Sequence, residues 1–221
     1  MAISENKSPI GIFGGTFDPV HFGHLRPSLE MCEALGMEQV RFIPSFIPPH
    51  RHVPAAPAEL RLEMVRQAVS SEPRFIVDDR EISRGGSSYM VDTLASLRKD
   101  FPRHPLCLLI GMDAFMQLHR WHQWLQLLDH AHIVVSQRPD SHFYEQAAWP
   151  TEIRQLYQQY KADGRNQLKS CLSGKILFER VTQLSISATD IRHRLKNNRS
   201  IRYLVPDTVL NLIECNHLYK S

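Results

Sequence analysis

Short apolar runs alternate with amphipathic segments along the first 136 residues of the chain. The fully apolar run Leu106–Ile110 is typical of a strand buried in a parallel sheet. The other predicted strands are Ile10–Phe13, Val40–Ile43, Phe75–Val77, His132–Ser136 and Lys175–Val181. Helical periodicity and stop signals predict helices over Phe22–Leu35, Ala58–Ser70, Ser88–Lys99 and Trp121–His130, with Ser87 or Ser88 as the N-cap of the third.

This alternation predicts an α/β fold, a doubly wound parallel sheet of right-handed βαβ units. Residues 139–174 break the rhythm and are interpreted as a helical excursion. Two closing helices, Ala188–Lys196 and Asp207–Tyr219, form a small helical C-terminal part at about 187–219. No repeat or linker divides the chain, so residues 1–221 are predicted to form one domain.

Composition narrows the class of protein. The 221 residues are 43% hydrophobic and 22% charged, which excludes collagen-like, coiled-coil and broadly disordered chains. No apolar run approaches the ~20 residues needed to cross a bilayer. Four scattered cysteines predict reduced thiols in a cytoplasmic protein. With 26 Lys and Arg against 23 Asp and Glu and no long basic run, nucleic acid is not expected as a partner.

The most informative stretch is Gly14–His24, which follows a predicted strand and opens a predicted helix. Glycines there let main-chain N–H groups approach an anion, and the helix N-terminus favours negative charge. His21 and His24 lie three residues apart, so both are expected to donate hydrogen bonds to phosphoryl oxygens. The stretch matches neither the Walker phosphate loop nor the dinucleotide fingerprint, and two histidines alone make a poor metal site.

The sequence Gly-Gly-Thr-Phe-Asp-Pro-Val-His-Phe-Gly-His resembles the signature of the bacterial nicotinate mononucleotide adenylyltransferases, within the nucleotidyltransferases that carry an H-x-G-H element. Further segments resemble the same family in the same order: Pro48–Arg51, Ser87–Leu94, Gly111–Asp113 followed by Trp121, Gln137–Pro139 and Ile186–Arg192. Six ordered matches over residues 11–192 are more specific than any single motif. The resemblance implies a Rossmann-like nucleotidyltransferase fold.

The resemblance also implies the reaction, in which ATP and nicotinate mononucleotide give nicotinate adenine dinucleotide and pyrophosphate during NAD biosynthesis. His21, His24 and Thr16 are then the expected catalytic residues. The expected ATP-binding residues are Gly14, Gly15, His21, His24, Gly111, Asp113, Ser187, Thr189 and Arg192. Mg²⁺ is expected to arrive on the triphosphate, because no carboxylate cage is visible, and no residue is expected to be a metal ligand.

The expected mononucleotide-binding residues are Thr16, Phe17, His50, Arg51, Ser88, Tyr89, Met90, Trp121 and Arg138. Trp121 is expected to stack on the pyridinium ring, whereas Trp124 is expected in the core. Met90 stands where many relatives carry Thr, and Ala188 replaces a frequent Ser. A preference for the acid over the amide is expected to come from main-chain N–H groups at Trp121 and His122, at the start of the predicted helix.

Several alternatives remain open. Nicotinamide mononucleotide is an alternative acceptor, and phosphopantetheine or cytidylyl transferases share the H-x-G-H turn. A non-catalytic nucleotide-binding module on the same fold is disfavoured by the intact histidines. A synthetase-like protein is disfavoured because the chain is too short for a separate tRNA-reading domain. The chain is expected to be a monomer or a homodimer.

Overall fold

The sheet has the strand order expected of a doubly wound fold. The computed structural model describes residues 7–48, 53–137, 148–182 and 184–220. Within these ranges six strands form a parallel sheet in the order β3-β2-β1-β4-β5-β6. They are β1 (Ile10–Gly15), β2 (Gln39–Pro44), β3 (Phe75–Val77), β4 (Leu106–Gly111), β5 (His132–Gln137) and β6 (Ile176–Arg180). The order reverses at β1, so the predicted α/β class is confirmed, and the segment after β1 follows a strand at the switch point of the sheet.

Helices follow the strands. They are α1 (Phe22–Leu35), α2 (Ala58–Val69), α3 (Arg80–Arg84), α4 (Met90–Asp100), α5 (Met112–Met116), α6 (Leu127–His130), α7 (Thr151–Tyr160), α8 (Gln167–Ser170), α9 (Ala188–Lys196) and α10 (Asp207–Cys215). Two 3-10 turns cover Leu118–Arg120 and Trp124–Gln126. The predicted bounds of α1 and α9 are confirmed, and α7 and α8 show that the described part of the excursion is largely helical. Within the described ranges, no helix is long and apolar enough to cross a membrane.

Three predictions about the helices were wrong. The third predicted helix begins at Met90 rather than Ser88, and its N-cap position is held by Tyr89 in extended conformation. The stretch predicted as one helix over Trp121–His130 is broken, because Gln123 adopts a left-handed φ of +48°. The last helix ends at Cys215, where His217 and Tyr219 adopt left-handed conformations that turn the chain away from the helix axis.

The central strands are buried on both faces, as their apolar runs predict. β4 pairs with β5 from Cys107 opposite His132 to Gly111 opposite Ser136. Every residue of β5 is buried, and so is every residue of β4 before Gly111. Parallel strands covered by helices on both faces need side chains of this kind.

The chain divides into two compact units. The first unit comprises the described residues of Met1–Phe13, Glu30–Val40 and Tyr89–Thr182. Within it, an aromatic cluster joins the excursion to the sheet: Trp149 stacks on Phe178 with ring centroids 5.7 Å apart, and Phe115 meets Phe178 edge-on at 5.3 Å. Trp149 is 4% exposed, so the excursion contributes to the core of this unit.

The second unit comprises the described residues of Gly14–Leu29, Arg41–Ser88 and Gln183–Ser221. Its apolar centre includes Phe42 and Phe75, whose rings lie 4.8 Å apart. Helix α10 packs against α2, and the Thr208 hydroxyl donates to the Gln67 carbonyl at 3.3 Å. This unit contains the turn after β1 and the start of α9, two of the segments that carry predicted site residues.

Candidate active site

The main chain after β1 is fixed by hydrogen bonds from the rest of the second unit. Gly15 ends β1, and its carbonyl accepts a 2.9 Å bond from the N–H of Ser45. The carbonyl of Thr16 accepts a 2.7 Å bond from Nη1 of Arg61. The backbone of Thr16 is therefore held in place, while its side chain remains partly exposed.

Phe17 packs inside the turn. It adopts a φ of +50° and is 2% exposed. Its ring meets the His24 ring edge-on at a centroid distance of 5.3 Å and lies 6.0 Å from the Phe42 ring. The Phe17 side chain is buried against protein, so the contact with the mononucleotide stays a prediction for its main chain and not for its side chain.

His21 and His24 form a stacked pair. Their ring centroids lie 3.7 Å apart with an interplanar angle of 23°. The main-chain N–H of His21 donates to Nδ1 of His24 at 3.3 Å. Because Nδ1 of a neutral imidazole can accept only when it carries no proton, this bond favours the tautomer of His24 with its proton on Nε2. The proton of the neutral His24 imidazole therefore resides on Nε2, on the side of the ring opposite the main-chain N–H of His21.

His21 is held neutral by its surroundings. It is 4% exposed, and burial lowers the pKa of its imidazole to about 4. Its Nδ1 is buried and has no hydrogen-bond partner among the described residues. A Cβ atom at Gly23 would lie 2.9 Å from this Nδ1 and 3.1 Å from the Ile186 carbonyl oxygen. Glycine between the two histidines is therefore required by the close approach of the His21 ring and the segment before α9.

Asp18 connects the glycine turn to three other segments of the second unit. Its buried carboxylate accepts hydrogen bonds from the N–H groups of Ala55 at 2.8 Å and Ala56 at 3.1 Å. The hydroxyl of Tyr219 donates to the same carboxylate at 2.7 Å. The main-chain carbonyl of Asp18 accepts a 2.6 Å bond from Nη1 of Arg192. One residue of the glycine turn thus joins the loop before α2, the start of α9 and the segment after α10.

Arg61 supports the same turn from α2. Its side chain is 1% exposed and donates to the carbonyls of Thr16, Ser45, Phe46 and Ala56, at 2.7, 2.7, 3.1 and 3.1 Å. Burial lowers the pKa of the guanidinium, and the nearby Asp18 carboxylate raises it. A guanidinium with these partners is not an isolated buried charge, since polar acceptors replace its hydration.

Sequence reasoning missed Asp18, Arg61 and Tyr219. Asp18 lies inside the glycine-turn motif, and a signal for it was therefore present. Arg61 looks like an ordinary surface position of an amphipathic helix, and Tyr219 lies 201 positions from the residue it binds. Only the tertiary fold brings these side chains to the turn.

The start of α9 has the predicted N-cap. The hydroxyl of Ser187 accepts a 3.1 Å bond from the N–H of Asp190. Ser187 and Thr189 are exposed, and Arg192 is partly buried. Nη2 of Arg192 also lies 3.4 Å from the Thr189 hydroxyl. Arg192 is therefore already anchored to Asp18 and Thr189, and its guanidinium has further N–H donors beyond these two bonds.

Ser88 has a different role from the predicted helix cap. Its hydroxyl accepts a 2.9 Å bond from the N–H of Phe46, and its own N–H donates to the Ile47 carbonyl at 2.9 Å. Ser88 therefore fixes the chain that follows β2. The loop it supports leads into the proline-rich segment of the sequence.

The remaining predicted site residues lie in the first unit. Tyr89 precedes α4, which begins at Met90, and the Tyr89 ring lies 4.3 Å from the ring of His122. Gly111 ends β4, and Asp113 is an exposed residue in the first turn of α5. Among the described residues, a Cβ atom at Gly111 would meet only the Ser136 hydroxyl, at 4.0 Å. Neither packing nor a positive φ therefore requires glycine at this position.

The two tryptophans considered from the sequence do not share a helix. Trp121 lies between the 3-10 turns in extended conformation, and its N–H donates to the Leu118 carbonyl at 2.9 Å. The expected main-chain donor at Trp121 is thus already used, and no helix begins there. Trp124 is partly exposed, so its predicted place in the core is wrong; Trp149 is the buried tryptophan.

Three predicted mononucleotide ligands, His50, Arg51 and Arg138, lie outside the described residues. Within the described ranges, no group of three or more His, Cys, Asp or Glu side chains is arranged to hold a metal ion. Asp18, the carboxylate nearest to the histidine pair in sequence, is occupied by main-chain and hydroxyl donors.

Comparison with known proteins identifies the family of this chain and the structures that share its fold. Residues 12–194 match the cytidylyltransferase-like family model. Solved structures share the fold: a Plasmodium falciparum nicotinic acid mononucleotide adenylyltransferase complexed with NaAD has a TM-score of 0.71 at 14% identity, covering 96% of this chain and 98% of that one. The structure of a Vibrio parahaemolyticus protein, described as a "putative nicotinate-nucleotide adenylyltransferase", has a TM-score of 0.63 at 15% identity, covering 97% of both chains.

Sequence relatives are much more similar. A protein of Methylococcus capsulatus, whose name is "probable nicotinate-nucleotide adenylyltransferase", is 46% identical over 211 residues, which cover 95% of this chain and 99% of that protein. A Pseudomonas aeruginosa protein of the same name is 46% identical over 96% of this chain and 97% of its own length. An Aeromonas salmonicida relative is 42% identical over 97% and 99% of the two chains. With matches of this extent, the chain belongs to the nicotinate-nucleotide adenylyltransferase family.

Proposed function

We propose that this enzyme transfers the adenylyl group of ATP to nicotinate mononucleotide, releasing pyrophosphate and forming nicotinate adenine dinucleotide in NAD biosynthesis. Membership of the family supports the reaction. The single structural observation that carries the proposal is the stacked pair of His21 and His24 in the glycine turn after β1. Anion binding at such a turn is favoured by glycine main chain and by the helix that follows it.

The chemistry needs positioning more than covalent participation by the protein. A phosphate oxygen of the mononucleotide attacks the α-phosphorus of ATP in line, and pyrophosphate leaves on the opposite side. Negative charge gathers on the oxygens around the phosphorus, where fixed hydrogen-bond donors lower the barrier. The described residues of the turn offer such donors but show no nucleophile paired with a base.

His24 is the best placed donor. Its Nδ1 accepts the main-chain N–H of His21, so its proton resides on Nε2, and we propose that this proton is donated to a phosphoryl oxygen when ATP binds. His21, neutral at pH 7 because burial lowers its pKa to about 4, stacks beneath this ring and is proposed as the second catalytic histidine. Gly14 and Gly15 are proposed to let the triphosphate approach the main chain, and the Thr16 hydroxyl to meet the attacking phosphate.

The start of α9 is proposed to hold the β- and γ-phosphates. The first N–H groups of a helix have no intrahelical acceptor, and the Ser187 hydroxyl satisfies only that of Asp190. The N–H groups of Ala188 and Thr189 would therefore bind phosphate oxygens, together with the remaining donors of Arg192. The absence of a serine hydroxyl at Ala188 removes one contact, which leaves the main chain as the principal ligand there.

A divalent cation, proposed to be Mg²⁺, enters with ATP as part of the substrate. No described cluster of side chains is suited to keep a metal ion in the absence of ATP. Mg²⁺ commonly binds through phosphates and retains several waters, and this mode needs few protein ligands. The cation would reduce the charge of the triphosphate and so assist the departure of pyrophosphate.

Residues of the first unit are proposed to bind the adenosine and the pyridine ring. Gly111 has no packing reason to be glycine, and this is consistent with a nucleoside lying against its main chain. The exposed carboxylate of Asp113 is a candidate acceptor for ribose hydroxyls. Trp121 is proposed to stack on the pyridine ring, with Tyr89 and Met90 nearby in the motif. His50, Arg51, Ser88 and Arg138 remain proposed ligands of the mononucleotide on the basis of their motifs.

A pyrophosphate-release assay tests the proposal directly. The purified protein is supplied with ATP, Mg²⁺ and one acceptor at a time: nicotinate mononucleotide, nicotinamide mononucleotide, phosphopantetheine or choline phosphate. We expect the fastest release with nicotinate mononucleotide, and little release with the last two acceptors. Release that is fastest with phosphopantetheine or choline phosphate, or absent with all four, would contradict the proposal.

A further inference from the structure

Tyr219 reaches the glycine turn from the far end of the chain. It follows α10, where left-handed conformations at His217 and Tyr219 redirect the backbone. The side chain is 9% exposed, and its hydroxyl lies 2.7 Å from Oδ1 of Asp18. Helix α10 packs against α2, and its residues Val209, Leu210 and Ile213 are buried. The position of the phenol is therefore defined by packing and not only by its hydrogen bond.

The surroundings of the phenol keep it a hydrogen-bond donor. Burial and the adjacent Asp18 carboxylate both raise the pKa of Tyr219, whereas Arg192 and Arg61 oppose this effect. The hydroxyl proton is therefore retained and points to the carboxylate. Asp18 in turn meets Arg192 twice, through the 2.6 Å bond to its carbonyl and at 3.9 Å from its carboxylate. Tyr219, Asp18 and Arg192 form a continuous chain of polar contacts.

We infer that Tyr219 is a positioning residue for ATP, which acts through Asp18 on Arg192 and on the turn that carries His21 and His24. This inference rests on the proposed function, because it assigns ATP to that turn. Tyr219 itself does not touch the substrate and acts only through Asp18. Its hydroxyl fixes one carboxylate oxygen, and the fixed Asp18 in turn holds the Arg192 guanidinium at the start of α9.

Removal of the hydroxyl has a specific consequence. In Tyr219→Phe, Oδ1 of Asp18 keeps the bond from Ala56 and loses its hydroxyl donor. A buried carboxylate that has lost a hydrogen-bond donor is costly, and this cost favours the approach of another donor. Nη1 of Arg192 lies 3.9 Å from the carboxylate, so the guanidinium is expected to move toward it and away from the triphosphate.

The experiment measures the kinetic constants for ATP and for nicotinate mononucleotide separately. Tyr219→Phe is compared with Tyr203→Phe, which deletes the same hydroxyl from a side chain that is 87% exposed. For Tyr219→Phe we expect kcat/KM for ATP to fall about tenfold, and KM for nicotinate mononucleotide to stay within about twofold of wild type. Tyr203→Phe is expected to match wild type in both. Thermal unfolding of each variant separates this effect from loss of folded protein.

A variant Tyr219→Phe that loses thermal stability but keeps the wild-type constants for ATP would show a purely structural role and overturn the inference. The double variant Asp18→Asn/Tyr219→Phe supplies a second readout. If Tyr219 acts through Asp18, the double variant has the same kcat/KM for ATP as Asp18→Asn alone; additive losses overturn that route. If Tyr219→Phe does not fold, Asp18→Asn alone tests the same route. Wild-type kinetic constants for ATP in Asp18→Asn would overturn the inference.

Binding of the α,β-methylene analogue of ATP distinguishes a failure of this inference from a failure of the proposed function. The analogue cannot be cleaved between the α- and β-phosphates, and its dissociation constant can be measured without an acceptor substrate. We expect about tenfold weaker binding to Tyr219→Phe than to wild type. If wild-type protein shows no transfer to nicotinate mononucleotide, the proposed function fails, and weaker analogue binding to the variant still supports the role of Tyr219. Equal binding overturns that role in either case.

Discussion

The main-chain N–H of His21 donates to Nδ1 of His24 across 3.3 Å, and the two imidazoles stack with centroids 3.7 Å apart. This relationship favours the tautomer of His24 that carries its proton on Nε2. The ring of His21 is buried and neutral, and the partly exposed ring of His24 stacks on it.

His24→Ala removes the proposed phosphoryl donor. We expect kcat to fall by about 10²- to 10³-fold, because one fixed donor to developing charge contributes about that much to the rate. The melting temperature is expected to change little, since the His24 ring is only partly buried. Steady-state kinetics and thermal unfolding provide the measurement, with His193→Ala, an exposed histidine of α9, as the control. A His24→Ala protein with near wild-type kcat would refute the role.

Gly23→Ala tests the close packing between the histidines. The new Cβ would lie 2.9 Å from Nδ1 of His21 and 3.1 Å from the carbonyl of Ile186, a main-chain atom that cannot easily move. We expect a loss of about 1–3 kcal/mol in the free energy of unfolding, together with a large loss of activity. Urea denaturation measures the first and the pyrophosphate assay the second.

The matched control for that substitution is Gly164→Ala. A Cβ atom at Gly164 would meet nothing within 4 Å, and the variant is expected to stay within about 0.5 kcal/mol of wild type. Equal effects of the two substitutions would show that the space beside His21 is not the cause.

The sequence predicts those features of the fold that are determined by residues close together in the chain. The bounds of α1 follow from a local stop signal at Gly36, which adopts a φ of +58°. The bounds of α9 follow from the Ser187 cap. By contrast, the region from Met112 to Gln126 contains short helical turns that no periodicity marks, and the single helix predicted over Trp121–His130 is broken by the left-handed Gln123.

The candidate site shows the same limit. The glycine turn and its histidines are adjacent in sequence and were found from their motif. The support of that turn by Arg61 and Tyr219 depends on the docking of α2 and on the turn after α10. The burial of Phe17 likewise arises from a partner on β2, Phe42. Hydrogen bonds and packing of this kind leave no pattern in a single sequence.

His132 makes stability depend on pH. It is fully buried, Nδ1 accepts from the N–H of Lys175 at 3.1 Å, and Nε2 lies 3.0 Å from the Cys171 carbonyl. Burial lowers its pKa from 6.5 to about 4, so between these values the unfolded chain binds a proton that the folded chain does not. Stability is therefore lost as pH falls from 6.5 toward 4, and His21 contributes in the same direction.

The measurement is urea denaturation of wild type and His132→Gln at several pH values in this window. Each buried histidine contributes a slope of up to about 1.4 kcal/mol per pH unit. The variant is expected to be less stable at pH 7 but to lose stability less steeply on acidification. Identical slopes would show that His132 does not titrate as described. Carboxylates contribute equally to both proteins, so only the difference between them is diagnostic.

Trp121→Ala is expected to weaken the binding of nicotinate mononucleotide and to leave the binding of ATP unchanged. Stacking of an indole on a cationic ring contributes about 0.5–2 kcal/mol, so KM for the mononucleotide should rise about 2- to 30-fold. Trp124→Ala, which removes an indole of similar exposure three residues away, serves as the control. Separate titrations of the two substrates are the measurement; a rise confined to KM for ATP would reassign Trp121 to the other substrate.

The central claim is the transfer of an adenylyl group to nicotinate mononucleotide in preference to its amide. A competition experiment with equimolar nicotinate and nicotinamide mononucleotides, limiting ATP and Mg²⁺ tests it most directly, with the two dinucleotides separated by chromatography and identified by mass. Because both acceptors compete for one enzyme, the product ratio equals the ratio of their kcat/KM values. We expect nicotinate adenine dinucleotide to dominate. Equal amounts or an excess of NAD would contradict the assigned acceptor, and the absence of either dinucleotide would contradict the reaction itself.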